Sequence, residues 1–373
     1  MDQRARIRLA RQLMDEFAVA TGLTGTAPPR RYLWTDAFAV CNFLGMYRES
    51  GEDNDLDLAL QLVDQVHHIL GRHRQDDSRQ GWISGLAEEE GERHPTRGGL
   101  RIGKEFPERR THESFEARVE WDRDGQYFHY LTQWMHALHR VGQEMGQPVF
   151  HQWAVELAQT AHARFTWSDS PGGPQRLVWK MSIDLGRVLV PSMGQHDSLD
   201  ALLAYLELRP GTILDSEICE ARALCADAQW ETDDALGIGA LLTGISRLAH
   251  MITRYRTPEA ALMARLVAAA RVSLDAYTHA DALAARVESR LAFRELGLAI
   301  GLHAIDRVEP SPMLGEGVNE AIEALSYHRP LSSRIDAFWS APAHRQSHSW
   351  TAHRDINSVM LATSLLPGGY LGS

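Results

Sequence analysis

Carboxylates and histidines recur where strongly apolar segments of the chain begin. Asp36, Asp197 and Asp234 occupy such positions, and so do His196 and His353. If these apolar segments are buried helices that share one direction, their first turns meet at one site, where two carboxyl groups could act as general acid and general base. Imidazoles there could instead carry a proton, because the pKa of histidine lies near neutrality. Each aspartate also has a structural explanation, since Asp is a favoured N-cap residue.

Glu113 is a further candidate acid, and it lies in a long polar segment two residues before Phe115. A carboxyl group that loses solvent against an aromatic ring has a raised pKa and can donate a proton. We therefore expect a raised pKa at Glu113. A solvated loop glutamate is the alternative.

Aromatic and polar residues near the same segment starts could bind a ligand. An aromatic ring offers an apolar face for stacking, and polar neighbours fix orientation. The run Asp-Gly-Gln-Tyr-Phe-His-Tyr at 124–130 contains two of these candidates. The predicted ligand-contacting residues are Trp34, Trp82, Tyr127, His129, Arg110 and Asp355.

Sequence motifs for metals and cofactors are missing. His344 and His348 have the i,i+4 spacing of helical zinc ligands, but the preceding Ser-Ala-Pro-Ala run predicts a loop there. The sequence has no P-loop, no CxxC, no GxSxG and no GxGxxG after a strand. We predict neither a metal nor a cofactor.

Two kinds of helical pattern alternate along the chain, and the helices that they predict must position these residues. Amphipathic segments have apolar residues three and four apart, whereas the others are apolar or small on almost every side and predict buried helices. The amphipathic segments are 3–20, 55–74, 148–166, 213–228, 257–278 and 317–338. The apolar segments are 35–47, 126–141, 197–208, 234–249, 290–304 and 353–366. This pattern predicts an all-α protein of twelve helices, alternately outer and inner, with strands only minor.

An insertion at 75–125 interrupts this pattern. About fifty residues are far more than a usual helix–helix connection needs, and such long loops are often functional. The segment is rich in glycine and carries Arg97, Arg101, Lys104, Arg109 and Arg110. We predict a lid or short hairpin that orders over the site when a ligand binds, with a mobile surface loop as the alternative. The predicted organisation is one domain over 1–373, with a turn at 170–174 in place of a linker.

Composition excludes several classes of function. With 38 basic and 49 acidic residues the formal net charge is −11, which disfavours binding to nucleic acid or anionic membranes. Three cysteines predict no disulfide framework. The N-terminus has no apolar signal region, and the apolar run at 235–245 is too short to span a bilayer. We expect a cytoplasmic protein with no nucleic-acid or membrane partner.

The helix alternation, the stretch from Asp77 to Arg110 and the aromatic run at 124–130 resemble the six-hairpin, (α/α)6-toroid superfamily. That superfamily includes glycoside hydrolases and N-acylglucosamine 2-epimerase-like proteins. The resemblance implies an (α/α)6 toroid whose site is a funnel at the N-terminal ends of the inner helices. It also implies a small-molecule substrate, namely a sugar.

Three functions remain open at this stage. In the first, the protein hydrolyses a glycosidic bond with two carboxyl groups drawn from Asp36, Glu113 and Asp234, with Asp197 in reserve. In the second, it is a sugar epimerase or isomerase in which His196 and His353 move the proton. In the third, the toroid binds a sugar or a non-sugar ligand without reacting. Homo-oligomerisation is also left open.

Overall fold

The computed structural model describes residues 1–168, 175–209 and 213–372, and helices dominate it. The chain is 64% helical with few strands, so the all-α prediction is confirmed. The predicted turn at 170–174 lies outside the described residues. The helices are α1 Gln3–Ala20, α2 Leu33–Ser50, α3 Asp53–Leu70, α4 Glu88–Arg93, α5 Ala117–Asp122, α6 Phe128–Met145, α7 Pro148–Phe165, α8 Asp197–Glu207, α9 Asp215–Ala226, α10 Ala235–Tyr255, α11 Ala260–His279, α12 Ala292–Ile305, α13 Glu316–Leu325, α14 Arg329–Ser340, α15 His348–Thr351, α16 Arg354–Leu365 and α17 Gly368–Leu371.

Every predicted helical segment overlaps a helix of the structure, but the predicted count of twelve is wrong, since the described residues form 17 α-helices. The segment 317–338 forms two helices, α13 and α14, joined by a 3-10 turn at Ser326–His328. Pro330 occupies one of the first two positions of α14, where its missing N–H costs no hydrogen bond. The proline therefore ends one helix and starts the next.

Five short strands complete the described chain. They are β1 Gln126–Tyr127, β2 Thr166–Trp167, β3 Arg176–Leu177, β4 Lys180–Met181 and β5 Val188–Val190. One antiparallel sheet has the order β1-β4-β5, and β2 pairs with β3. In the first sheet Tyr127 lies opposite Lys180, which lies opposite Val190 on its other side.

The described chain forms two compact units. The first unit comprises Met1–Phe17, Gly45–Gly51 and the chain from Ala226 onward, and the second comprises Ala18–Leu44 and Glu52–Cys225. In the first unit the apolar helices α10, α12 and α16 pack together, with α11 against α10. In the second unit α6 packs against α3, α7 and α8. The prediction of one domain over 1–373 stays a prediction.

Small residues let α10 and α12 approach closely in the first unit. A Cβ added to Gly239 would lie 2.0 Å from the backbone oxygen of Gly297, and one added to Gly301 would lie 2.5 Å from that of Gly239. Glycine is required here because backbone atoms fill the side-chain space. Gly239 therefore lies where α10 and α12 pack closely.

Helix α10 also corrects the estimate of its length. It has 21 residues, so by length and composition alone this one described helix could cross a membrane. However, 67% of its apolar window is buried inside the protein, as in the core helix of a water-soluble domain.

Part of the predicted insertion belongs to the core of the second unit. Residues 98–102 are buried. The backbone N–H of Leu100 donates to the Gln126 Oε1 atom over 2.8 Å, and that of Ile102 donates to the Gly125 carbonyl over 2.8 Å. The stretch 110–119 is exposed apart from half-buried Glu113. Ordering of a lid on ligand binding stays a prediction.

Candidate ligand-binding site

The short sheet of the second unit fixes where the helices α6 and α8 begin. Helix α6 starts directly after β1, and α8 follows β5 after six residues. The backbone N–H of Phe128 donates to the Trp179 carbonyl over 3.2 Å, and that of Trp179 donates to the Ser192 carbonyl over 2.7 Å. Main-chain bonds therefore hold the first turn of α6 and the approach to α8 against the same strand.

The start of α2 is attached to the same region. The backbone N–H of Leu33 donates to the Ile102 carbonyl over 3.0 Å, and Ile102 donates in turn to the Gly125 carbonyl. The hydroxyls of Tyr32 and Tyr130 are hydrogen-bonded at 2.5 Å. Residues just before or at the starts of α2 and α6 thus meet within the second unit.

An aromatic cluster covers these helix starts, and we call it the aromatic platform. Its members are Tyr32, Trp121, Tyr127, His129, Tyr130 and Trp179. Tyr127 stacks on Trp179 with ring centroids 5.5 Å apart, and Trp121 lies 5.6 Å from Trp179. Tyr130 meets Tyr127 edge to face at 5.1 Å. Tyr127 and Tyr130 are buried, whereas Trp121 is 50% exposed. The buried rings therefore support exposed and half-buried rings that a ligand can reach.

Lys104 adds a positive charge to the aromatic platform. Its Nζ atom lies 5.4 Å from the Tyr32 ring centre and 5.3 Å from that of Trp121, within the range of cation–π attraction. Burial lowers the pKa of Lys104, while Asp122 and Asp124 favour its charged form. No carboxylate among the described residues lies within ion-pair distance of Nζ. The ammonium group can therefore bind a hydroxyl or a negative group on a ligand.

Asp124 holds the backbone beneath Lys104. Its fully buried carboxylate accepts from the Arg101 guanidinium over 2.6 Å and from Arg74 over 3.3 Å. It also accepts from the backbone N–H of Gly103 over 3.0 Å. These charge-assisted hydrogen bonds occupy the acceptor positions of the carboxylate, so Asp124 positions the site and does not contact a ligand.

A second buried ion pair supports the platform from below. The Lys180 ammonium donates to Glu120 Oε1 over 3.0 Å and to the Arg123 carbonyl over 2.8 Å. It also lies 5.4 Å from the Tyr127 ring centre. Glu120 also accepts from Arg109 over 2.7 Å. Removing Glu120 would therefore leave the Lys180 ammonium buried without a counter-charge, which is costly.

His129 is a neutral hydrogen-bond donor on the platform. The indole Nε1–H of Trp179 donates to Nδ1 of His129 over 3.2 Å. An indole N–H can only donate, so Nδ1 is the acceptor and Nε2 carries the ring proton. Loss of solvent lowers the pKa of His129 to about 4. A neutral Nε2–H suits binding to a ligand hydroxyl better than it suits proton abstraction.

Asp197 is the described carboxyl group best suited to donate a proton. It is the first residue of α8 and is 4% exposed. Burial, with a smaller contribution from Asp200, raises its pKa to about 7. Its Oδ2 atom accepts from the backbone N–H of Gly194 over 2.7 Å. The group is therefore partly protonated near neutrality. His196, immediately before it, is half-buried.

Two predicted catalytic carboxylates of the second unit have structural partners. Asp36 is buried, lies 3.6 Å from the Arg31 guanidinium and accepts from the Tyr32 backbone N–H over 2.9 Å. Glu113 forms an ion pair with Arg123 and accepts from the Arg110 backbone N–H over 2.8 Å. These bonds lower the pKa of Glu113 to about 2. The expected rise in its pKa is wrong, because a cation and a backbone donor stabilise the charged form.

The predicted aromatic contacts divide into accessible and buried rings. Trp34 is half-buried and lies 4.7 Å from Phe38. Trp82 is only 2% exposed, with the Arg72 guanidinium 4.3 Å from its ring centre, so its predicted stacking on a ligand is wrong. Tyr127 is also 2% exposed and supports the platform from beneath. Arg110 is exposed.

Three predicted site residues lie in the first unit. Asp234 is the N-cap of α10 and accepts from the Gly237 backbone N–H over 3.1 Å, while its other oxygen pairs with Arg294. This is the capping role that the sequence offered as the alternative. His353 is exposed against Phe293, and Asp355 is half-buried in the first turn of α16.

Sequence reasoning missed Tyr32 and the Glu120–Lys180 pair. A usable signal was present for the pair, because Lys180 lies inside the apolar run Leu-Val-Trp-Lys-Met-Ser-Ile at 177–183. A lysine within such a run predicts a buried charge that needs a partner. The partner could not be identified without tertiary structure. Within the described part of the chain, no group of three or more histidine, cysteine or acidic residues could hold a metal.

Comparison with known proteins gives a likeness of fold only. No protein-family model matches the chain, and no curated protein matches it. Among solved structures, the chain is similar to an unsaturated glucuronyl hydrolase specific for heparin, a six-hairpin glycosidase with the (α/α)6 fold. The two share 13% sequence identity with a TM-score of 0.35, over 74% of this chain and 84% of that chain.

Proposed function

We propose that the protein is a carbohydrate-active enzyme that binds a sugar on the aromatic platform and hydrolyses a glycosidic bond. The observation that carries the proposal is the platform itself, with half-buried and exposed rings beside the Lys104 ammonium. Indole and phenol rings stack on the apolar faces of sugar rings, while a few polar groups fix orientation. Lys104 and the Nε2–H of His129 supply such groups.

Asp197 is the proposed general acid. Glycosidic hydrolysis requires a carboxyl group that is protonated near neutrality and can pass its proton to the leaving oxygen. Burial raises the pKa of Asp197 toward that range. Asp36 faces a guanidinium, and Glu113 is held ionised, so neither is proposed as the acid. The proposal includes a small-molecule partner and retains the expected cytoplasmic location.

A binding experiment tests the platform first. Tryptophan fluorescence and thermal shift are recorded with neutral and carboxylated oligosaccharides for the native protein, Trp121→Ala and Trp167→Ala. Both tryptophans are about half exposed, at 50% and 46%, but only Trp121 belongs to the platform. We expect at least about tenfold weaker binding in Trp121→Ala and no change in Trp167→Ala. Equal affinity in both variants would exclude the platform as the sugar site.

Reducing-end release tests the reaction. Asp197→Asn should abolish hydrolysis but retain binding, whereas Asp57→Asn, at an exposed carboxylate of α3, should leave both unchanged. Hydrolysis that survives in Asp197→Asn would exclude it as the acid. Isomerised product that depends on His196 or His353 would establish the epimerase alternative. Sugar binding without turnover would establish the non-catalytic one.

A further inference from the structure

A cavity of about 590 Å³ lies in the first unit, and none of the residues proposed for sugar binding lines it. It is lined by the start of α1, the end of α2, the end of α12 and residues 365–372. Its volume falls within the range of small-molecule sites. None of the predicted site residues lines it.

A buried carboxylate holds the side chains of Arg6 and His303 on the cavity wall. Asp336, 3% exposed, accepts from Arg6 Nη2 over 3.2 Å and from His303 Nε2 over 3.1 Å. Its second oxygen accepts from the Ser364 hydroxyl over 2.6 Å. Arg6 also donates to the carbonyls of Ser364 and Leu365, over 3.0 and 3.2 Å. These bonds fix the guanidinium in one orientation, which reduces the entropy cost of binding a ligand.

Two further guanidiniums complete the wall. Arg307 Nη2 donates to the Gly372 carbonyl over 2.5 Å, and Arg48 Nη1 donates to the Gly368 carbonyl over 3.4 Å. Arg6 Nη1 and the remaining nitrogens of Arg307 donate to no described residue. The cavity lining therefore has N–H donors that no described residue uses, on guanidinium groups whose other nitrogens donate to backbone carbonyls.

The charge of this lining is opposite to that of the chain. Three arginines and one histidine line the cavity, and Glu49 is its one lining carboxylate. The chain as a whole has a net charge of −11. Guanidinium groups bind carboxylate and phosphate through paired N–H donors. Leu365, Leu366 and Pro367 add an apolar side to the same cavity.

We propose that this cavity binds a small organic anion through a phosphate or carboxylate group, with its carbon skeleton against residues 365–367. The proposal does not depend on the function proposed for the aromatic platform. Arg307 and the Nη1 atom of Arg6 bind the anionic group, and Arg48 adds positive charge. His303, anchored by Asp336, sets the shape of the wall.

Calorimetric titration with inorganic phosphate and with citrate, at constant ionic strength, tests the proposal. We expect saturable binding at one site for at least one of the two, and the tighter one identifies the anionic group. Arg48→Gln/Arg307→Gln should weaken binding at least about tenfold. Arg265→Gln is the matched control, because Arg265 also donates to backbone carbonyls, those of Ala226 and Ala228, but lies outside the cavity.

A second variant keeps the test decisive if the double variant does not fold. Glu49→Gln removes the one lining carboxylate, so it should strengthen anion binding by about threefold or more, since like charges repel. Absence of saturable binding to both anions would overturn the proposal. Unchanged affinity in both the double variant and Glu49→Gln would overturn it as well.

Discussion

The indole of Trp179 and the imidazole of His129 are joined by an Nε1–H to Nδ1 hydrogen bond of 3.2 Å. A second pair repeats this arrangement in the core, where Trp134 Nε1 donates to His67 Nε2 over 3.2 Å. In both pairs a donor that cannot accept requires the histidine nitrogen to be unprotonated. Both histidines are therefore held neutral by burial and by geometry.

The first prediction concerns the tautomer of His129. Nitrogen-15 NMR at pH 6 should show a neutral ring with the proton on Nε2, because Nδ1 accepts from Trp179. Trp179→Phe removes the donor, so the Nδ1-protonated form should become populated. A protonated imidazolium at pH 6 in the native protein would contradict the assignment.

The second prediction concerns acid stability. Burial lowers the pKa of His67 from 6.5 to about 3. The unfolded state then binds more protons than the folded state between these values, so the free energy of unfolding falls as pH falls below 6.5. The slope from one such group is about 1.4 kcal/mol per pH unit.

His67→Gln should remove this part of the pH dependence, measured by urea unfolding between pH 7 and 4. The glutamine carbonyl can still accept from Trp134, which limits the loss of packing. His112→Gln, at an exposed histidine, is the control and should leave the slope unchanged. Identical slopes in the native protein and His67→Gln would show that His67 is not buried neutral.

The third prediction concerns Asp197, which changes the free energy of unfolding with pH in the opposite direction from His67. Its pKa is raised from 3.8 to about 7, so the folded state binds the extra proton between these values. Its contribution to stability therefore decreases as pH rises from about 4 to 7. Asp197→Asn should gain stability relative to the native protein over this window. If Asp197 is the general acid, kcat should also fall above pH 7.

The fourth prediction concerns helix packing at Gly239. A Cβ there would lie 2.0 Å from the Gly297 carbonyl oxygen, so Gly239→Ala must separate α10 from α12. We expect a loss of about 1–3 kcal/mol, as for other overpacked cores. Gly317→Ala is the matched control, because a Cβ at that helical glycine meets nothing within 4 Å. It should be neutral or stabilise by about 0.5–1 kcal/mol. Thermal unfolding measures both.

The fifth prediction concerns the buried ion pair of the first unit. Glu295 accepts from Arg290 over 2.8 and 2.6 Å and from Trp339 Nε1 over 2.8 Å. Glu295→Gln leaves the guanidinium without a counter-charge and should cost about 3–5 kcal/mol in denaturant unfolding. Arg290→Met/Glu295→Leu should cost less, since it leaves no unpaired charge. A larger loss in the double variant would contradict this account.

The sequence by itself determined the helices and several of their ends. Periodicity is a local property, so the apolar patterns located α2, α6, α8, α10, α12 and α16 within a few residues. The cap at Asp234 and the close packing of Gly239 follow from residue type at a helix start and a helix face. The break between α13 and α14 was not predicted, although Pro330 marks it.

Only the tertiary structure decided which side chains are accessible and which are charged. Trp82 and Trp121 look alike in sequence, yet one is 2% and the other 50% exposed. Asp197 and Glu113 are both carboxyl groups near apolar residues, but burial raises the pKa of one and Arg123 lowers that of the other. Exposure and pKa depend on desolvation and on partners distant in sequence, and local patterns contain no information about those partners.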